Sequence, residues 1–376
     1  MTGTAMAAVA AAMVLSVIVI FPDIYIFRKY LRALKSGLPG IVHWIPTAAL
    51  IAGLSFLAIP GLSGGTRVFI LKSAFAIVLC ICIPKLLFCI FSLTGAVLDR
   101  IRPGKAEKAC DRAGIAAGLF AAAAFVFGFT AGWQILTVNR ITVESADIPE
   151  GFSGYRIVQL SDLHLGTYGG NKGFVRKTVE AVNSAAPDAV FFTGDIVNSH
   201  PDEIRPFTGI LGRIRSEDGV FSILGNHDCC TYGTHDKDTA GKWMMEIIGT
   251  EKSMGWIPMD GKDTVITRNG DSLRICGTAD GSRLYTIYLR HNPAQWRDSI
   301  LPQASGSLTL SGHTHALQFK IGRFSPCSWL YREWDGLYRE RDGNMLYVST
   351  GTGGTLPFRL GAWPAIDIIT LVRVQE

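Results

Sequence analysis

The sequence predicts two unlike parts, an all-α membrane region of four helices and, after it, an α/β domain whose sheets pack face to face with helices outside. Three observations predict this. The first third of the 376 residues is almost continuously apolar. The remainder alternates strand and helix patterns and then becomes strand-rich. Five short motifs, nearly all directly after short apolar runs, bring together carboxylates, imidazoles and one amide. They are Asp162-Leu163-His164, Gly194-Asp195, Gly225-Asn226-His227-Asp228, His291-Asn292-Pro293 and Gly312-His313-Thr314-His315. The expected boundary divides the chain into residues 1–136 and 137–376.

The apolar segments lie at about Ala5–Ile26, Ile41–Ile59, Val68–Ala96 and Gly114–Leu136. Each reaches the roughly 20 helical residues that a bilayer core requires. Four such runs in succession leave no polar face for water, which argues against buried helices of a soluble fold. The third run carries Lys72, Pro84 and Lys85, so Lys85 must snorkel, face a partner helix or mark the membrane edge. The stretch before the first run has no Lys or Arg, unlike a cleaved signal peptide.

Loop charge sets the expected orientation. Arg28, Lys29, Arg32 and Lys35 follow the first segment, and Arg100, Arg102, Lys105, Lys108 and Arg112 follow the third. The second connection, Pro60–Thr66, is rich in Gly and Ser. Basic loops stay in the cytoplasm. The N-terminus and everything after the fourth segment are then outside, which in a bacterium is the outer face of the inner membrane. The net charge of +5 is modest and sits largely in these loops, so no nucleic-acid partner is expected. The bilayer is one expected partner.

In the second part, Leu136–Glu144 alternates apolar and polar residues as a half-buried strand does. Pro149-Glu150-Gly151 is a turn. Tyr155–Leu160 is a strand that delivers Asp162 and His164. Gly173–Ala185 places Val175, Val179 and Val182 at helical spacing, and Pro187 stops it. Ala189–Thr193 is a buried strand ending in Gly194-Asp195. A helix is expected around Asp202–Arg213, and a third strand over Val220–Leu224. Further strands are expected at Thr264–Arg268, Leu273–Gly277, Thr286–Leu289, Leu308–Leu310, Met345–Val348 and Ile366–Val372. Asp280–Arg283, Ser325–Asp335 and Gly351–Gly354 are irregular, as loops that line sites often are.

Residues two apart on an extended chain point to the same side. Asp162 and His164 can therefore chelate one ion, while His313 and His315 can reach one ion or two. Gly194 clears space where backbone approaches metal, and Asp195 can bridge two ions with one oxygen for each. Asn226 offers a neutral oxygen, and His291 completes a second set. Such mixtures suit Mn, Zn or Fe without selecting sharply among them. Two ions about 4 Å apart lower the pKa of a shared water and neutralise charge on phosphate oxygens. His227 is free to protonate a leaving alkoxide, with Asp228 as its orienting partner. Singly, each Asp is as readily a cap and each His a satisfied core or surface residue. Jointly, five of the chain's eight histidines fall at strand ends beside Asp, Asn or Gly.

Cys229, next to the third motif, is a conceivable further ligand to a set already complete in oxygen and nitrogen. Cys229, Cys230, Cys276 and Cys327 would be able to pair in an exported domain. Thr350–Gly354 lacks the Lys and following helix of a phosphate-binding loop and reads as a tight turn near the site.

Motif by motif, this chain resembles the calcineurin-like metallophosphoesterase superfamily over about Tyr155 to Val372. The resemblance implies a four-layer α-β-β-α sandwich. It implies one ion held by Asp162, His164, Asp195 and His315, and another by Asp195, Asn226, His291 and His313, with His227 as the catalytic histidine. Ser161-Asp162-Leu163-His164-Leu165-Gly166, Leu289-Arg290-His291-Asn292-Pro293 and Trp334-x-Gly336-Leu337-Tyr338 resemble its bacterial membrane-associated branch. That branch includes phosphodiesterases and UDP-diacylglucosamine hydrolases. Departures are Pro364-Ala365, where a Pro-Glu pair is expected, and the vicinal Cys229-Cys230. The expected activity is membrane-anchored phosphodiester hydrolysis by a metal-bridging hydroxide, with a lipid-linked or envelope phosphoester as the expected substrate partner beside the bilayer. A UDP-diacylglucosamine-type pyrophosphatase is the alternative. A non-catalytic receptor or transporter partner on the same fold is the alternative from another class, and the intact ligand set argues against it.

Overall fold

The computed structural model describes residues 16–34, 36–59, 61–62, 64–259, 261–277 and 284–375. The start of the first apolar segment, Lys35, Pro60, the Asp280–Arg283 loop and Glu376 lie outside them. The chain forms two units, Met1–Phe129 and Thr130–Glu376.

The first unit is helical. Helix α1 covers residues 16–31, α2 Leu38–Phe56, α3 Gly64–Ile101 and α4 Ala106–Thr130. Among the described residues, three helices are long and apolar enough to cross a membrane. The third is longer than the sequence pattern predicts, because its polar end, Asp99 and Arg100, stays helical. The third loop is accordingly short. Asp99 closes it by accepting the Ala106 and Glu107 N–H groups of α4, both at 2.9 Å. A π-turn at Val78–Cys82 directly precedes Ile83 and Pro84. It absorbs the missing donor and ring clash of that proline without breaking the helix.

Lys85 faces a partner helix. Its Nζ lies 2.7 Å from Asp23 Oδ1 on α1 and 3.1 Å from the His43 carbonyl on α2. Asp23 is fully buried and also accepts a hydrogen bond from the Thr47 hydroxyl. At the other end of α1, Lys29 pairs with Glu107 at 2.5 Å and the Tyr30 hydroxyl donates to Asp111 at 2.8 Å. The chain following α1 and the start of α4 therefore lie on one side of the bundle.

The second unit is two six-stranded sheets. The first runs β1 (Thr137–Ser145), β12 (Ala365–Arg373), β2 (Arg156–Leu160), β3 (Ala189–Phe192), β4 (Gly219–Ser222), β5 (Ile257–Pro258). All its pairs are parallel except β12 with β2. The second runs β10 (Gly336–Arg339), β11 (Met345–Val348), β9 (Leu308–Ser311), β8 (Thr286–Leu289), β7 (Asp271–Cys276), β6 (Asp263–Arg268). Its four inner strands are parallel and its two edge strands antiparallel.

Two-residue periodicity divides the core. Ile157, Ala189 and Phe191 face the second sheet, meeting Ile287, Leu289, Leu308 and Leu310. Val158, Leu160, Val190 and Phe192 face outward, under helices α5 (Lys172–Ser184) and α6 (Lys237–Ser253). Helix α5 starts where the Asn171 side chain accepts the Gly173 N–H at 3.1 Å. It buries Phe174, Val175, Val179 and Val182, worth roughly 1.5–3 kcal/mol each. Val179→Asp would break that contact.

Four elements differ from the sequence pattern. The 202–213 stretch forms two 3-10 turns and one short α-turn, Thr208–Leu211, because Pro201 and Pro206 interrupt it. Helix α6 was not expected, because Gly241 and Gly249 dilute its apolar stripe. The fourth layer, over the second sheet, is one π-turn, Trp296–Ile300, with Trp296 and Ile300 fully buried. Helix α4 ends at Thr130, before the expected Leu136, and the chain continues as a 3-10 turn, Gly132–Gln134, within the second unit, where Trp133 packs on Tyr168 at a ring distance of 5.6 Å.

Candidate metal centre

The parallel strands β2, β3 and β4 of one sheet and β8 and β9 of the other each end in one motif. The two sheets thus present all five motifs at one edge, as α/β folds present ligands at carboxyl strand ends. The backbone is strained there. Asp162, His164, Asp195, His313 and His315 all have φ between 47° and 72°. Left-handed backbone at non-glycine residues costs about 1–3 kcal/mol each and clusters at functional sites. Gly194 has φ 95°, and a Cβ there would sit 2.6 Å from the Gly225 nitrogen and 2.8 Å from His291 Nδ1. Only glycine lets these loops meet.

The ligating atoms form two groups, each within 4.8 Å among its members: Asp162, His164, Asp195 and His315, and Asp195, His291 and His313. In the first, His164 Nε2 and His315 Nε2 are 3.2 Å apart, and His315 Nε2 is 3.3 Å from Asp162 Oδ1. In the second, His291 Nε2 is 3.2 Å from His313 Nδ1 and 3.0 Å from Asn226 Oδ1. Asp195 Oδ2 serves both groups, 3.7 Å from His164 Nε2 and 3.0 Å from His291 Nε2. Asp195 Oδ1 accepts the His227 N–H at 2.8 Å. Oδ2 thus lies between the two donor groups, while Oδ1 also holds the backbone of the His227 loop.

Each imidazole is aimed by its far nitrogen. His291 Nδ1 donates to the Thr193 carbonyl at 2.7 Å, which turns Nε2 toward the centre and Asp195. His164 Nδ1 lies 3.0 Å from Asn198 Oδ1, and His313 Nε2 lies 3.0 Å from the Tyr331 hydroxyl. His227 Nδ1 donates to the Asn198 carbonyl at 2.7 Å, and its ring stacks on Tyr232. Tyr232 accepts from Asn226 Nδ2 at 3.2 Å, which turns Asn226 Oδ1 inward.

The expected role of Asp228 is corrected too. It does not touch the His227 ring. It is fully buried and accepts the N–H groups of Gly225, Asp195, Ile196 and Val197 at 2.7–3.2 Å. A carboxylate with four convergent backbone donors ties the β3 and β4 loops together. Asn198 is the residue the motifs did not reveal. It holds His164 with its side chain and His227 with its carbonyl, and only its place three residues after Asp195 hinted at it. Tyr232 and Tyr331 carried no local signal, since they reach the site from irregular segments.

Burial dominates the charge state. It drives His164 down to about 3 and His313 down to about 4, which keeps both neutral as ligation requires. Burial also pushes His291 down, but the hydrogen bond and charge of Asp195 overcome it and raise the group to about 9. Burial pushes Asp195 up, and the His291 hydrogen bond and surrounding imidazoles bring it well below the carboxylate range. For Asp228, burial and the Asp195 charge push upward against the four N–H donors. Three or four nitrogen and oxygen donors per group, with His164 and His313 held neutral, fit divalent metal ions.

Among the described residues, no disulfide is seen between cysteines. Cys229 Sγ contacts the Gly225 carbonyl at 3.6 Å, and neither group of ligating atoms includes it. The 350–354 tract is a turn against the site. Its Thr352 and Gly353 N–H groups donate to the Ser161 and Asp162 carbonyls, both at 2.8 Å, and so are not free for phosphate. A cleft of about 590 Å3 opens beside the second group, lined by Asn226, His291 and His313 with Arg290, Gln295 and Ser299.

A fold of two mixed sheets with convergent histidine and carboxylate strand ends defines a metal-dependent phosphoester hydrolase. The chain belongs to the calcineurin-like phosphoesterase family: residues 155–317 match that family's model, and residues 8–133 match the model described as "Probable Calcineurin-like phosphoesterase, transmembrane domain". It is 28% identical to the Bacillus subtilis "Uncharacterized metallophosphoesterase YkuE", over 63% of this chain and 86% of that protein. It is 28% identical to the Danio rerio "Transmembrane protein with metallophosphoesterase domain", over 74% and 67% of the two chains. It is 36% identical to the Chlamydia trachomatis "UDP-2,3-diacylglucosamine pyrophosphatase LpxG", over 61% and 88%. The protein is thus a membrane metallophosphoesterase.

Proposed function

We propose that this chain is a dinuclear-metal phosphodiesterase acting on a lipid-linked or envelope phosphodiester. The single observation that carries the reading is Asp195 Oδ2, common to two groups of donors beside an open cleft. Asp162, His164, Asp195 and His315 would hold one ion, and Asp195, Asn226, His291 and His313 the other. Bound there, two Mn, Zn or Fe ions would acidify a water and neutralise charge on the phosphate oxygens.

The chain's own residues supply the rest. His227 carries its proton on Nδ1, fixed by the Asn198 carbonyl, and its Nε2 can exchange a proton with the leaving oxygen. Arg290 lines the cleft and adds positive charge for an anionic substrate. Six residues, 131–136, join α4 to β1, a tether of about 20 Å at full extension. That tether supports a substrate presented at a membrane surface over a freely diffusing one.

The likeness to LpxG supports a second reading, pyrophosphate cleavage in a nucleotide-linked diacylglucosamine. A hydrolysis screen of the purified full-length protein tests both. It should cover generic diesters, monoesters, phospholipids and nucleotide-lipids, each with Mn, Zn, Fe and Mg. Cleavage of soluble nucleotides alone would reject a lipid substrate.

A further inference from the structure

The chain leaves the metal centre through an unusual turn. His315, Ala316, Leu317 and Gln318 are all left-handed, with φ of 49°, 48°, 49° and 58°. Four such residues in a row turn the chain sharply away from the strand that precedes them, against the backbone's ordinary preference. The segment is then pinned from inside. Gln318 Nε2 donates to the Leu356 carbonyl at 3.0 Å, the Ser325 hydroxyl donates to the Ala316 carbonyl at 2.8 Å, and the Cys327 N–H donates to Ser325 Oγ at 3.0 Å. Ser325 and Cys327 are completely buried. Tyr331 closes the loop back onto His313.

The burial is inverted relative to an ordinary surface loop. Polar and small groups point in, while Ile321 is 65% exposed, Trp329 76% and Leu330 70%, with Leu317 and Phe324 exposed beside them. Phe324 meets Trp329 edge-on at 5.8 Å, and a bridge joins Ile321 to Phe324, so these side chains form one patch. Scattered apolar residues on a surface mean little. Here Ile321, Phe324 and Trp329 meet on a hydrogen-bonded frame, with exposed Leu317 and Leu330 in the same fourteen residues, a density of the kind that marks an interaction site. Arg323 and Arg332 are exposed at its border.

We propose that the Leu317–Arg332 segment is a membrane-interface loop. It seats Ile321, Phe324, Trp329 and Leu330 at the boundary of headgroups and acyl chains, with Arg323 and Arg332 on lipid phosphates. Three features favour a bilayer over a protein partner. Tryptophan with aliphatic residues is the composition that settles at this boundary. The bordering arginines complement anionic headgroups. The chain also carries its own membrane helices, which tie it to a bilayer. Both ends of the loop abut the histidine pair His313 and His315, so seating the loop brings the rim of the metal centre to the lipid surface. The proposal rests on membrane anchorage and not on the nature of the substrate.

The test uses the full-length protein in vesicles of phosphatidylcholine and phosphatidylglycerol whose acyl chains are brominated near the headgroup. Wild type and Trp329→Phe are compared, because the chain has eight tryptophans and the difference isolates one. The expected result is that the emission missing from Trp329→Phe is blue-shifted, quenched by the brominated lipid and shielded from acrylamide. Acrylamide quenching without bromine quenching would overturn the proposal by placing Trp329 in water. Shielding from both quenchers would overturn it in favour of a protein contact. A second variant, Leu330→Ser, should make the Trp329 emission less blue-shifted and less bromine-quenched. Unchanged emission in that variant would also count against a seated loop. If the bromine result holds while no lipid is hydrolysed, the substrate reading fails and the interface loop stands.

Discussion

Asp195 works through two oxygens with separate duties. Oδ2 faces both donor groups, and Oδ1 holds the backbone of His227. Asp195→Ala should therefore lose both metals, as elemental analysis would register, and two metals retained would remove its bridging role. His227 is tied to backbone and side chains, not to a donor group. His227→Ala should keep both metals while kcat falls by roughly 10²–10⁴-fold, the scale of a positioned acid–base group. His291 supplies a pH signature. Its raised value, about 9, means the metal-free protein holds a proton there at neutral pH. A metal must displace that proton. Affinity should therefore rise with pH and level off above about 9, with proton release visible when titrations are run in buffers of different ionisation enthalpy. An affinity flat between pH 6 and 9 would contradict the Asp195–His291 pairing.

At the scale of elements, the strand ends were legible because a buried strand announces itself by an apolar run and its ligand by the polar residue that follows. β2, β3, β4, β8 and β9 all follow this rule, and their motifs converge at one edge. What was illegible came through space. Asn198, Tyr232 and Tyr331 act on neighbours brought near by folding, and no local pattern marks them. Asp228 sits in a motif, but its side chain turns toward four backbone donors, a choice that only loop geometry decides. The membrane helices repeat the lesson. Lys85 was visible as an anomaly, while its partners Asp23 and His43 lie 62 and 42 residues away in sequence. Lys85→Met should strip the ammonium from the buried Asp23 carboxylate, which keeps the Thr47 hydroxyl and the His43 ring 3.3 Å away, so the loss should stay below the roughly 3–5 kcal/mol of a fully uncompensated buried charge. Detergent unfolding of the full chain would measure it, and adding Asp23→Asn should recover part of the loss. Equal stability of wild type and Lys85→Met would mean the pair contributes nothing.

For the whole molecule, the open question is which side of the membrane the metal centre faces, and loop charge gives an argued answer. Arg28, Lys29 and Arg32 close α1, and Arg100, Arg102, Lys105, Lys108 and Arg112 surround the turn between α3 and α4. Lys29 and Glu107 pair across these two regions, so their charges act at the same face. The connection between α2 and α3 holds no such cluster. If positive loops are retained in the cytoplasm here as elsewhere, α4 runs outward and the second unit follows it, the orientation we propose. A reporter enzyme active only outside the cytoplasm, fused after Glu376, should be active, and a cytoplasm-only reporter at that point should be silent. The outcome divides the two substrate readings as well. A domain outside meets envelope and lipid phosphodiesters and has no access to nucleotide-linked lipid made in the cytoplasm. If the cytoplasmic reporter is the active one, the charge argument fails. The metal centre then faces the nucleotide pool, and pyrophosphate cleavage of a nucleotide-linked glycolipid becomes the reading the protein's placement supports.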